Sequence, residues 1–411
     1  MSSDNKKRIV ITGLGAVSPI GTGVDIFWSH LLSGKVGTNK ITRFDTSCFH
    51  THTGGEVKDF KVADYAKNHS YEAFSPSVQF ALGVTGMTLK DSGILDADIN
   101  LKRVGIYFGT VIGNRPSLET TIRELYKKEC LSLNQTAIFT AHDVTLISRL
   151  PAIEFGLRGP NLVTPTACAA GNNAIALAMD AIRTGKADAM IAGGVDELSE
   201  TMFMMFNSFR SLAPEVVQPF DKNRKGLILS EGAGALLLES YEHAKRRGAF
   251  IYGEVLGYGN YSDAYHMTIP HPDGLGAVRS MQDALKRSMI LPKQVDYISA
   301  HGTGTPVNDA IESKAIQTVF GELTKSVPVS SIKSMLGHMQ GAASAIEAVA
   351  CILAINNDIV PPNMNYKEYD PECALDIVAN MPRQHKVDIA LSNAFGFGGN
   401  ISCLVFAKFR D

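Results

Sequence analysis

Apolar positions along this chain follow two alternating periods, and the alternation predicts an α/β protein. Short runs of β-branched and small apolar residues, bounded by Gly, Pro or charged residues, predict strands over 8–12, 104–108, 189–192, 233–239, 251–257, 295–300, 327–331, 388–393 and 402–408. Between them, Ala- and Leu-rich stretches with apolar residues three or four apart predict helices over 75–92, 145–155, 172–184, 241–247, 276–289, 309–320 and 342–356. Within 172–184, Ile175, Met179 and Ile182 recur at helical spacing, and Gly185 follows as the expected cap.

The pattern echoes itself once. Residues 162–185 read as a strand, a small-residue turn holding Cys168, and an Ala-rich helix. Residues 327–356 repeat that order, with Lys333 to His338 in the turn. Two related halves are therefore expected, 1–254 and 255–411, the first carrying the cysteine and the second the histidines of a shared site. A length of 411 residues suits this, being long for one ordinary domain.

Composition narrows the class. Hydrophobic content of 45% with 19% charged residues suits a soluble protein with a large core. Net charge is −2, from 39 basic and 41 acidic residues, and no long basic patch appears, so no nucleic-acid partner is expected. The clusters Lys6-Lys-Arg8 and Lys245-Arg-Arg247 read as solvated ends of elements. The opening Met-Ser-Ser-Asp-Asn-Lys-Lys has no signal-peptide core, and no apolar run reaches membrane-spanning length. A cytoplasmic protein without membrane contact is the expectation.

Six cysteines, Cys48, Cys130, Cys168, Cys351, Cys373 and Cys403, include no C-x-x-C pair, so neither a metal site nor a disulfide framework is expected. Five read as structural. Cys168 stands apart, in Thr164-Pro-Thr-Ala-Cys168-Ala-Ala-Gly171, between an extended segment and a helix start. Free N–H groups and the dipole at a helix start favour thiolate, the reactive form, and the small neighbours leave room for a substrate.

A cysteine nucleophile generally works with histidine. His301 opens His301-Gly-Thr303-Gly-Thr305-Pro306 after a predicted strand, and His338 follows Lys333-Ser-Met-Leu-Gly337. Both have a glycine beside them, which lets backbone approach a ligand closely. His266 and His271 lie in a polar loop and read as solvated. Gly13-Leu-Gly15-Ala-Val-Ser18, following the first predicted strand, departs from a dinucleotide loop at Ser18, and no second strand ends in an acid at the required distance.

These segments, in this order, resemble the β-ketoacyl-acyl-carrier-protein synthases, the condensing enzymes of fatty-acid and polyketide assembly. The likeness runs from Arg8-Ile-Val-Ile-Thr-Gly-Leu-Gly15 to Gly396-Phe397-Gly-Gly399-Asn400, nearly the whole chain. It implies a thiolase-like fold, two related halves forming a five-layer αβαβα core. It implies a decarboxylative Claisen condensation, in which Cys168 takes an acyl chain from a carrier protein and malonyl-carrier protein extends it. His301 and His338 would donate to the enolate oxygen. The backbone N–H groups of Cys168 and Phe397 would form the oxyanion hole, and Lys333 would pair with Glu347. No free cofactor is implied, since the phosphopantetheine arm belongs to the acyl carrier protein partner. A homodimer is implied, or a heterodimer with a chain-length-factor-like subunit.

Some residues carry two readings. Thr303 and Thr305 can bond the pantetheine arm or form an ordinary turn. Phe397 can gate the acyl pocket or fill a Gly-rich turn, and Ile112 can line the chain pocket or belong to the core. Housekeeping enzymes place a threonine before the asparagine that here directly follows Gly399. Met339-Gln340, Ser344 and Asn114-Arg-Pro116 also depart from their pattern, and the stretch from Pro361 to Asp376 looks closer to ketosynthase subunits of aromatic and polyene pathways. A dedicated type II polyketide pathway is therefore expected, with housekeeping fatty-acid elongation as the alternative. A thiolase is disfavoured because Cys403 lies outside the last Gly-rich segment, and a non-catalytic chain-length factor because Cys168 is present.

Overall fold

The computed structural model describes residues 7–127 and 143–411. Cys130 lies outside the described residues. Five strands form the first sheet, in the spatial order Asn161–Thr164, Val104–Gly109, Ala189–Asp196, Gly232–Ser240, Ile9–Ser18. Five more follow in the order Pro328–Ser330, Tyr297–Ser299, Ile389–Gly396, Asn400–Ala407, Gly253–Ser262, with Asp376–Ile377 added at the outer edge. Numbered by sequence within each set, both orders read third, second, fourth, fifth, first. Strand directions match too: the first two neighbouring pairs are parallel and the last two antiparallel. A short antiparallel contact, Val10 with Glu254 and Ile11 with Gly253, joins the sets.

Helices Ala170–Arg183 and Ala343–Asn357 pack between the two sheets and against each other. Their sequences explain the placement. In Ala343–Asn357 every residue from Ala343 to Ile355 is buried, as expected of a helix apolar all round, and the small Ala residues permit close layers. Outside, Pro76–Ser92 covers the first sheet while Leu275–Ser288 covers the second. The result is the five-layer αβαβα, thiolase-like α/β fold that the sequence implied. Among the described residues, no helix is long and apolar enough to cross a membrane.

Several boundaries moved, and the reasons are local. The first strand runs Ile9–Ser18 rather than stopping at residue 12, so Gly13 and Gly15 lie inside it. A Cβ on Gly13 would meet the Thr88 carbonyl oxygen at 2.5 Å, and one on Gly15 the Val84 oxygen at 2.6 Å. These glycines let the Pro76–Ser92 helix press onto the strand, a packing role that a local pattern cannot separate from a turn. The strand expected over 388–393 extends as Ile389–Gly396, which carries the chain to the Gly-rich segment beside Cys168. Helix Glu200–Ser208 escaped the periodicity because Met and Phe occupy nearly all its faces.

Candidate active site

The sulfur of Cys168 sits where one half's strand-turn-helix meets the other half's loops. After strand Asn161–Thr164 the chain tightens into the 3-10 turn Ala167–Ala169, with Ala167 in the left-handed region at φ 52°, and then enters helix Ala170–Arg183. From the other half, Gly396 comes so near that a Cβ there would lie 3.0 Å from the Cys168 nitrogen. Cys168 is half-buried on the wall of a cavity of about 440 Å³.

Both expected histidines reach it. His338 Nε2 is 3.0 Å from Cys168 Sγ, and the His301 and His338 rings stand 5.5 Å apart, nearly perpendicular. Each loop is clamped from behind. Glu312 accepts the His301 and Gly302 N–H groups at 2.8 Å each, while Asn393 donates to the same carboxylate at 3.3 Å. The His338 N–H donates to the Ile228 carbonyl at 2.6 Å, and the Ser230 N–H donates back to the His338 carbonyl at 3.0 Å.

Burial and the nearby Lys333 charge hold both imidazoles well below the usual histidine range, with His338 adding to the effect on His301. Both rings are therefore neutral. Their Nδ1 atoms are buried without a partner among the described residues. A neutral imidazole carries one N–H, and with that proton on Nε2 each ring presents a donor to the cavity.

The thiolate expectation needs correction. Burial pushes the Cys168 thiol up to about 12. The Lys333 charge and the N–H groups of Phe397 and Cys168, which donate to the sulfur, pull the other way and are outweighed. The resting site holds a thiol with a ready set of donors. Alkylation of Cys168 by iodoacetamide, followed on its own peptide, should rise about tenfold per pH unit from pH 7 to 10, since the thiolate fraction does. A plateau below pH 9 would mean a thiolate already present.

Lys333 and Glu347 form a buried ion pair behind the histidines, each side chain 2% exposed. Burial pushes Glu347 up to about 7 against the pull of Lys333. Thr303 and Thr305 line the cavity with hydroxyls 2.9 Å apart. Phe397 also lines it, its ring stacked on Phe206 at 5.3 Å. Ile112 does not: it is buried in the core behind a loop whose Val111 and Ile112 N–H groups bond Asp196. Cys403 is buried in strand Asn400–Ala407, away from the cavity, and burial raises its thiol.

Sequence reasoning missed the buried carboxylates. Asp196 ties the Thr110 loop to the Gly341 turn through four hydrogen bonds, and burial pushes it up to about 6. Glu312 and Asp309 share the buried side of helix Pro306–Phe320, one turn apart, under the His301 loop. Their spacing was visible, but acidic residues three apart on a helix are usually solvated. His266, read as a loop residue, is exposed yet lines the cavity mouth, its Nδ1 accepting from the Thr268 and Ile269 N–H groups. Among the described residues, no group of three or more His, Cys, Asp or Glu side chains could hold a metal ion.

Comparison with known proteins agrees with this architecture. The family profile described as "Beta-ketoacyl synthase, N-terminal domain" matches residues 6–244, and "Beta-ketoacyl synthase, C-terminal domain" matches 252–367. The chain is 41% identical to the 3-oxoacyl-[acyl-carrier-protein] synthase 2 of Synechocystis sp. over 420 aligned positions, covering all of both chains. The solved ishigamide ketosynthase/chain length factor superposes with a TM-score of 0.93 at 37% identity, covering 99% of this chain and all of that one. A type II PKS acyl-carrier protein in complex with its ketosynthase bound to the hexaketide gives 0.91 at 35%, with the same coverage. Fold and relatives define a thiolase-like acyltransferase. The chain belongs to the β-ketoacyl synthase family.

Proposed function

We propose that this chain condenses a Cys168-bound acyl group with malonyl-acyl-carrier protein, releasing carbon dioxide and giving a β-ketoacyl-carrier protein. The observation that carries the proposal is His338 Nε2 at 3.0 Å from Cys168 Sγ, with the neutral His301 ring beside it in one cavity.

In the first half-reaction Cys168 sulfur attacks the acyl thioester of the carrier's pantetheine arm. A carbon–sulfur bond forms to Cys168, the bond to the arm breaks, and the thiol proton ends on the departing pantetheine sulfur. The Cys168 and Phe397 N–H groups stabilise the tetrahedral oxyanion between the two states. In the second, malonyl-carrier protein loses carbon dioxide and the electron pair moves to the thioester oxygen as an enolate. His301 and His338 donate from Nε2 to that oxygen, where charge appears only as the bond breaks. The enolate carbon then attacks the Cys168 thioester, a carbon–carbon bond forms, and the sulfur leaves as thiolate and regains a proton from solvent.

Lys333 serves electrostatically, lowering the histidine pKa values and favouring the departing thiolate. Thr303 and Thr305 hold the pantetheine arm. Phe397 gates the way to an acyl pocket that reaches toward Ile112. No free cofactor takes part. The halves 1–254 and 255–411 supply nucleophile and histidines respectively. The partners are an acyl carrier protein and a second subunit, either another copy or a chain-length-factor-like chain.

The Asn400 tail and the polyketide ketosynthases among the structural neighbours favour a dedicated type II polyketide pathway. Fatty-acid elongation is the second reading, favoured by the name of the 41%-identical relative. Intact mass after mixing with acyl-carrier protein tests the proposal. An acyl adduct on the isolated chain is expected of a self-sufficient homodimer, and an adduct seen only with a second subunit is expected of a ketosynthase half. No adduct under either condition refutes the covalent mechanism.

A further inference from the structure

Three aromatic rings meet at the cavity mouth, and only one was foreseen. Phe397 stacks on Phe206, centroids 5.3 Å apart and planes 22° from parallel. Phe209 closes the group edge-on, 6.4 Å from Phe397 and 6.4 Å from Phe206. All three line the cavity that holds Cys168.

Their supports differ. Phe206 is buried, 4% exposed, within the cluster of Phe203, Leu212, Leu227 and Leu229. Phe397 stands between Gly396 and Gly398, and the two glycines that follow it are left-handed, Gly398 at φ 76° and Gly399 at φ 73°. Phe209 is 48% exposed. It caps helix Glu200–Ser208, its N–H donating to the Met205 carbonyl at 3.1 Å, and the next residue, Arg210, turns left-handed at φ 52°. A backbone fixed by a helix end and a tight turn thus presents a large ring at the rim. The ring gains little from burial there, and its aromatic contacts are the other two rings.

We propose that Phe209 is a positioning residue that holds the Phe397 ring across the path to Cys168, setting how readily the site opens to a thioester. The inference rests on the reading of Phe397 as a gate and adds the residue that latches it. Edge-on aromatic contacts of this kind shift a two-position equilibrium by about 2- to 10-fold. Phe206 is the fixed wall of the clamp and Phe397 its moving part.

The test measures acylation of Cys168 by an acyl-N-acetylcysteamine thioester without carrier protein. The thioester supplies its acyl group to Cys168 and leaves as the free thiol, so no other reactant is required. Phe209→Ala should speed this step about 2- to 10-fold, and Phe209→Tyr, which keeps the ring, should restore the slow rate. Phe397→Ala keeps its backbone N–H and should be fast by itself; adding Phe209→Ala to it should then change nothing. An equal gain from Phe209→Ala in both backgrounds would mean simple widening of the mouth and overturn the proposal. A fast Phe397→Ala with an unchanged Phe209→Ala would leave the gate standing without its latch. If Phe397→Ala is as slow as the parent chain, the gate itself fails, and the latch with it.

Discussion

Replacing His338 with alanine is expected to leave Cys168 acylation partly intact while lowering carbon dioxide release from malonyl-carrier protein by about 10²- to 10³-fold, the usual cost of losing one preorganised donor to a developing oxyanion. His301→Ala should behave alike, whereas Cys168→Ala should abolish acyl transfer outright because the bond-forming atom is gone. The separation follows from geometry. In the proposed mechanism, acylation uses the sulfur and the backbone N–H groups of Cys168 and Phe397, which already point at it. Decarboxylation in that mechanism uses donors at the enolate oxygen, and the two neutral rings stand 5.5 Å apart beside the sulfur. His338 also stands 3.0 Å from the sulfur, so its loss should slow acylation more than the loss of His301. Adduct formation by mass spectrometry and carbon dioxide release, measured on the same variants, separate the two half-reactions. Normal carbon dioxide release by His338→Ala would remove that residue from the second half-reaction.

Lys333→Met should cost little stability at or below pH 7 and approach about 3–5 kcal/mol only at pH well above 7, where Glu347 is ionised in the parent chain and the variant would leave it buried without its counter-charge. The pH dependence identifies the cause. Burial already places the Glu347 carboxyl at about 7, above its ordinary 4.5, and removing the cation that pulls it down raises it further. A carboxyl whose folded-state pKa lies above its unfolded value stabilises the fold below the unfolded pKa and loses that contribution as pH rises through the folded one. The deficit of Lys333→Met relative to the parent chain should therefore be small near pH 4.5 and grow through pH 7. Replacing both partners, Lys333→Met with Glu347→Leu, should recover most of the loss, since no buried charge remains. Denaturant titrations at pH 5 and 8 check this, and a deficit independent of pH would show that packing of the Lys333 stem matters more than the charge pair.

Much of this protein was legible in the chain itself. Strand and helix periods gave the α/β class because side chains alternate every two residues on a strand and return every 3.6 on a helix, whatever the tertiary context. The turn around Cys168 and the glycines beside His301 and His338 are local features, readable from neighbouring residues, whereas the pairing of Lys333 with Glu347 followed from the family resemblance. That the two segments pack as one site follows only weakly from their repeated order.

Tertiary structure alone decided the rest, in each case through burial or close approach between distant segments. Gly13 and Gly15 belong to a strand because the helix carrying Val84 and Thr88 lies on them. Burial of the Cys168 sulfur raises its thiol more than its backbone donors and Lys333 lower it, which favours the thiol at rest. Asp196, Glu312 and Asp309, which the linear pattern did not single out, became scaffolding because folding brought backbone N–H groups to their carboxylates, anchoring the loops around the cavity. The Phe206–Phe397–Phe209 cluster joins segments nearly 190 residues apart in sequence. A linear pattern records which side chains are available and where the backbone bends. Which charges lose their water, and which rings meet, depends on contacts that exist only after the layers close.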